Sequence, residues 1–145
     1  MQVPPGKKIY FLSDFHLGAP DAEKSLEREK LIVQFLDEIK DEAHTIFIVG
    51  DMFDFWYEYR RVVPRGYVRL LGKLAEFTDA GIPVHFFVGN HDMWMFDYFS
   101  KELDIPIYRE PQLIEVGNHK LLIGHGDGLG QGGGGQRQVD DRRLI

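Results

Sequence analysis

The sequence predicts an α/β fold with a mostly parallel sheet. Two observations carry that reading. Strand-like and helix-like segments alternate in the order strand, helix, strand, helix, strand, and the apolar runs end abruptly in short polar clusters. A third observation is permissive: 145 residues with 43% hydrophobic and 28% charged side chains can bury a sizeable core.

The elements follow in order. "KKIYFLSD" reads as a first strand ending near Ser13. After the loop "FHLGAP", Asp21 to Ala43 carries Ile32, Phe35, Leu36 and Ile39 at helical spacing, with Asp21 as its start. "TIFIV" is a second strand, too short and too β-branched for a helix. A long loop, "GDMFDFWYEYRRVVPRG", leads to a second helix from about Tyr67 to Ala80, with Val68, Leu71, Leu74, Ala75 and Phe77 on its apolar face. Gly81 ends that helix and Pro83 opens a third strand, "PVHFFVG". A third helix is expected from roughly Met93 to Leu103. "QLIEV" and "HKLLIGH" then flank a Gly117-Asn118 hairpin turn. The stretch 1–130 is read as the folded domain, and the glycine-rich 131–145 as a low-complexity, disordered tail.

Composition excludes several functions. The net charge of −6 argues against a nucleic-acid surface, which needs clustered positive charge. The absence of cysteine removes disulfides, thiolate zinc sites and cysteine nucleophiles. No apolar run approaches the roughly 20 residues that span a bilayer, and the first residues do not read as a signal peptide, so a cytoplasmic protein is expected.

In parallel α/β sheets ligands bind beyond the carboxyl ends of the strands, where the polar clusters fall. The clusters offer Asp14, His16, Asp51, Asp54, Asn90, His91, Asp92, His125 and Asp127. Carboxylate, imidazole and amide oxygen without sulfur suit manganese, iron(II) or zinc, with magnesium also admissible. Asp14 and His16 are two apart and share a side if the turn stays extended. Asp51 could bridge two ions that clamp a phosphate and activate a water. Gly50, Gly89 and Gly124 each precede a candidate ligand, where a missing Cβ permits close approach. Taken singly, each cluster also has an ordinary reading as a turn or a helix cap. Four in sequence, each at a strand end, point to one site.

"DFH", "GDMFD", "GNHD" and "GHGD" resemble four of the five blocks of the calcineurin-like metallophosphoesterases. Within that family, "FLSDFHLG", "GDMFDFW" and "LLIGHGDGLG" are most similar to the UDP-2,3-diacylglucosamine hydrolases of bacterial lipid A synthesis. The resemblance implies an α/β/β/α sandwich, incomplete here on its C-terminal side, around two divalent ions, manganese foremost. It implies one ion on Asp14, His16 and Asp51, and another on Asp51, Asn90 and His125. His91 would act on the phosphate, oriented by Asp92, where the lipid A hydrolases carry arginine. The fifth block, Gly-His-X-His, does not follow His125, so each ion has at most three ligands from this chain. A fragment of a longer protein, or a reading frame altered after Gly130, would account for that.

The implied reaction is hydrolysis of a phosphodiester or pyrophosphate, with a lipid-linked UDP-sugar as substrate and peripheral contact with the inner membrane face. A broad phosphodiesterase or phosphatase, and a silent domain binding at most one metal, are the rival readings. The aromatic run after Asp51 is read either as a packed loop or as an apolar wall for acyl chains. In the second reading Trp56 and Tyr57 face substrate, and Arg60, Arg61 or Arg65 meets phosphate or membrane. "MWMFDYF" fits an amphipathic helix. His44 is read as a C-terminal helix cap, and His85 and His119 as satisfied or solvent-facing.

Overall fold

A computed structural model describes residues 1–126. Asp127 and the glycine-rich tail expected to be disordered lie outside the described residues. Four strands, β1 (Lys8–Leu12), β2 (Ala43–Val49), β3 (Val84–Phe87) and β4 (Ile107–Tyr108), form one parallel sheet in the order β1-β2-β3-β4. Helices α1 (Ala22–Ile39), α2 (Val68–Asp79) and α3 (Tyr98–Leu103) connect them. Strands β5 (Gln112–Val116) and β6 (His119–Ile123) make an antiparallel hairpin through Gly117, as the Gly-Asn signal predicts.

Stepping through the strands in one direction with crossovers of one hand places the helices together on one face. Strand alternation then divides the core. Ile46, Ile48, Val84 and Phe86 point to the helical side and pack with Leu36, Leu70, Leu74 and Phe77, all buried. Their neighbours Phe47 and Phe87 point the other way and meet Ile123 of the hairpin, with Ile114 and Leu121 alongside. Burying each such side chain contributes about 1.5–3 kcal/mol. The described residues thus supply three layers, helices, sheet and hairpin, in line with the α/β expectation. The hairpin's outer face is open: Leu113 and Leu122 are exposed there.

Three expectations are corrected, and one strand had none. The first helix ends at Ile39, and Ala43 already opens β2, so His44 is a strand residue bonded to Thr45 Oγ1 rather than a helix cap. On α2, Leu70 is buried and Val68 is exposed, because the stripe that meets the sheet runs through Leu70, Leu71, Leu74 and Phe77. β4, two residues after Pro106, is too short to leave a periodic signal. The third helix covers only Tyr98–Leu103, because the buried Glu58 carboxylate accepts the backbone N–H groups of Asp97 and Tyr98 and fixes the start there. Asp21 caps α1 as expected, accepting from the Lys24 N–H at 2.9 Å.

Candidate metal centre

Beyond Leu12 the chain continues alongside the residues after β2. Asp14 N donates to Gly50 O, His16 N to Asp51 O and Leu17 N to Met52 O. The turn that results is not extended. Asp14 and His16 have φ of 58° and 44°, and Asp51 opposite them has φ of 52°. Side chains other than glycine rarely adopt this left-handed backbone, and each instance costs about 1–3 kcal/mol. Three of the six non-glycine residues described with positive φ are therefore candidate ligands. Asp14 and His16 do share a side, but through strain rather than strand geometry.

Asp51 is the centre of the arrangement. Its carboxylate is almost fully buried, and Oδ2 lies 3.8 Å from His16 Nε2 and 3.3 Å from His125 Nε2. Oδ1 accepts the backbone N–H of His91 at 3.0 Å. Asp14 Oδ1 is 3.8 Å from the same His16 nitrogen. Residues from the turn after β1 and from just beyond β6 of the hairpin therefore converge on the carboxylate that follows β2. His125 Nδ1 donates to Val49 O at 3.0 Å, which turns Nε2 toward Asp51, the tautomer a metal-binding imidazole takes.

Close approach depends on two glycines. A Cβ at Gly50 would collide with the His125 imidazole, and one at Gly89 with the Asp51 carboxylate. Asn90 lies with Gly89 and His125 on the wall of a cavity of about 460 Å³. Each predicted ligand is thus brought to one end of the sheet. Asp14, His16 and Asp51 offer ligand atoms within 4.8 Å of one another, and so do His16, Asp54 and His91. The donor chemistry fits divalent cations: carboxylate and imidazole groups crowd together.

The second cluster corrects the reading of Asp92. That carboxylate is buried and accepts Gly89 N at 2.7 Å and Met52 N at 2.9 Å, so it ties the ends of β2 and β3 together. Burial pushes its pKa up, and these N–H groups oppose the shift. The His91 ring instead donates from Nδ1 to the backbone oxygen of Asp54 at 3.0 Å, with Asp54 Oδ1 at 3.5 Å. His16 Nδ1 is also 3.5 Å from that oxygen. Asp54 thus stands against both imidazoles, a role that the Asp-X-X-Asp spacing of "GDMFD" hints at but does not assign.

The aromatic run divides. Trp56 is completely buried against Phe53 and Phe99, its indole N–H held by Glu58, so it is core and not a substrate contact. Phe55, Tyr57 and Tyr59 are exposed, and the Tyr57 ring lies 6.0 Å from that of Trp94. Arg60 lies over the Tyr59 ring and, with Arg61, borders a separate hollow beside Asp97 and Lys101. Neither arginine is among the groups around Asp51.

Comparison with known proteins agrees with this geometry. The family model for calcineurin-like phosphoesterases matches residues 7–143. The UDP-2,3-diacylglucosamine hydrolase of Porphyromonas gingivalis is 45% identical over 120 residues, 83% of this chain and 46% of that protein. The proteins of the same name from Haemophilus influenzae (strain Rd) and Neisseria meningitidis (strain MC58) are 33% and 31% identical over 124 residues each, 85% of this chain and 50% of theirs. The chain spans about half the length of these curated relatives. A buried carboxylate shared by two imidazoles at the carboxyl end of a parallel sheet, together with a family match across nearly its whole length, leads to one conclusion: this chain belongs to the calcineurin-like phosphoesterase family.

Proposed function

We propose that this chain forms part of a two-metal hydrolase of a phosphoester or pyrophosphate bond, with a lipid-linked UDP-sugar of the UDP-2,3-diacylglucosamine type as substrate. The observation that carries the reading is Asp51 Oδ2 between His16 and His125, 3.8 and 3.3 Å from their Nε2 atoms. Asp14, His16 and Asp51 would hold one divalent ion, and Asp51, Asn90 and His125 the other, manganese foremost. When bound, such ions supply Lewis acidity toward phosphoryl oxygens and lower the pKa of a water nucleophile.

The chain's own residues do the rest. The buried Asp51 carboxylate, anchored by the His91 N–H, keeps the two halves of the site in register. With Nδ1–H donating to Asp54 O, the imidazolium form of His91 would present Nε2–H to a phosphate oxygen, steadying its charge or giving that proton to the leaving group and leaving the neutral ring. Asp54 holds that ring and the His16 ring in place, while Asp92 keeps the strand ends together.

The substrate class is supported by the relatives' name and by an exposed apolar rim: Phe55, Tyr57, Met93, Trp94 and Phe96. Side chains of this kind suit acyl chains or the surface of a bilayer. No helix among the described residues is long and apolar enough to cross a membrane. We place the protein in the cytoplasm, touching the inner membrane face peripherally through this rim, with Arg60, Arg61 and Arg65 nearby in sequence for phosphate groups. A general phosphodiesterase is the second reading, supported by the Gly-Asn-His-Asp block, which the resemblance ties to the general family pattern.

The test is hydrolysis by the manganese-loaded chain of UDP-2,3-diacylglucosamine beside bis-p-nitrophenyl phosphate. Splitting the pyrophosphate into two monophosphates, with a higher KM in Tyr57→Ala and Trp94→Ala, supports the first reading. Cleavage of the generic diester alone supports the second, and cleavage of neither refutes both.

A further inference from the structure

The left-handed turn that carries Asp14 and His16 is held from two sides. Toward β2 it has the backbone bonds to Gly50, Asp51 and Met52 described above. On the other side it meets α1. Arg28 Nη1 lies 3.0 Å from Phe15 O, 3.1 Å from His16 O and 3.1 Å from Ala19 O, donating into all three carbonyls. One turn earlier, Ser25 Oγ accepts the Gly18 N–H at 2.7 Å, and Ser25 is buried.

The placement of Arg28 is unusual. A half-buried guanidinium is ordinarily matched with a carboxylate, yet Arg28 forms no ion pair among the described residues and spends its contacts on backbone oxygens. Those oxygens belong to the segment that carries Asp14 and His16, and His16 O also accepts the Ala19 N–H at 3.2 Å. Three carbonyls pointing inward at one cation set the peptide planes of the turn. His16, whose carbonyl is one of the three, has the left-handed φ of 44°, a conformation rare outside glycine.

We propose that Arg28 is a positioning residue for the metal centre: through the carbonyls of Phe15, His16 and Ala19 it holds the 14–19 turn in the form that aims Asp14 and His16 at Asp51. The assignment rests on the metal-centre reading above. Nothing in the sequence marks Arg28, which sits on a charged stretch of α1 twelve residues beyond His16. Its effect is on the geometry of ligands, so it reaches metal affinity before it reaches the reaction.

The experiment is calorimetric titration of Mn²⁺ into the 145-residue chain and its Arg28→Ala and Arg28→Lys variants, each first shown to be folded by circular dichroism. Loss of an outer-shell partner lowers metal affinity about 10–100-fold, and that loss is expected for Arg28→Ala. Millimolar methylguanidinium should restore part of it, a rescue that a merely destabilised fold would not show. Arg28→Lys should fall between, because an ammonium lacks the planar fork of the guanidinium. If the unaltered chain takes up no Mn²⁺, the metal-centre reading falls and this proposal with it. If the unaltered chain binds and folded Arg28→Ala binds within about twofold of it, well short of an outer-shell loss, the positioning role alone is refuted. Should Arg28→Ala not fold, Arg28→Lys is read in its place, and failure of both to fold also overturns the proposal.

Discussion

Asp51 and His125 retain only 5% and 13% side-chain exposure, whereas Asp14 and His16, which complete the cluster, retain 59% and 33%. The buried pair is positioned by packing. Glycines at 50 and 89 let the imidazole and the carboxylate close to contact, and backbone groups of Val49 and His91 hold their remaining atoms. The open pair is positioned by hydrogen bonds to a strained turn, with Arg28 and Ser25 beneath it. A site built this way has one rigid wall and one wall whose geometry depends on a few polar contacts. Substitutions on the two sides should therefore fail differently.

The largest effect is expected at Asp51, which belongs to both proposed ion sites. Asp51→Ala should weaken Mn²⁺ binding at both by more than about 1,000-fold, roughly 4 kcal/mol, whereas Asp14→Ala should spare the site on the His125 side. Calorimetric stoichiometry reads this directly, and equal losses in the two variants would erase the distinction. Gly89→Ala comes next, since its methyl meets the Asp51 carboxylate inside the rigid wall. Overpacking of that kind costs about 1–3 kcal/mol, readable as a lowered urea midpoint. An unchanged midpoint would show that the buried wall yields as easily as the open one.

Asp54→Asn probes the seam between the walls, because one oxygen serves both His16 and His91. We expect a fall of about 10–100-fold in metal affinity or turnover with stability unchanged, as for other outer partners of ligating groups. A control far from the site gives the smallest effect. Hydrogen bonds from Lys40 and Lys73 hold Glu76 down at about 2, below the usual carboxylate range. A depressed folded-state pKa gives stability that is present above the unfolded value near 4.5 and is lost as pH falls through about 2. The melting temperature of Glu76→Gln should therefore approach that of the unaltered chain as the pH drops from 5 to about 2, with metal binding unchanged near neutrality.

Much of the rigid wall was legible in the sequence. Asp51 and His125 stand where apolar runs stop, and a glycine precedes each, so the strand-end pattern pointed to both without any contact being known. The open wall was legible only as a set of residues. Asp14 and His16 come together through left-handed turns that long-range bonds impose, and local spacing carries no trace of these. The family resemblance implied that Asp92 orients His91, yet the tight turn sends its carboxylate inward to Met52 and Gly89. The aromatic loop did contain a usable signal. From Phe55 to Tyr59 burial alternates out, in, out, in, out, so period-two spacing separates Trp56 and Glu58 from the three exposed rings. The short α3 shows the opposite failure: helical spacing was present at Met93–Asp97, but Glu58 captured the backbone donors and Arg109 took the Met93 and Met95 carbonyls.

Electron paramagnetic resonance of the unaltered chain titrated with Mn²⁺ tests the shared carboxylate most directly. Two ions held by one Asp51 should give an exchange-coupled spectrum as the second equivalent binds, and Asp51→Ala should abolish it. A spectrum of isolated Mn²⁺ alone, unchanged in that variant, would contradict the account.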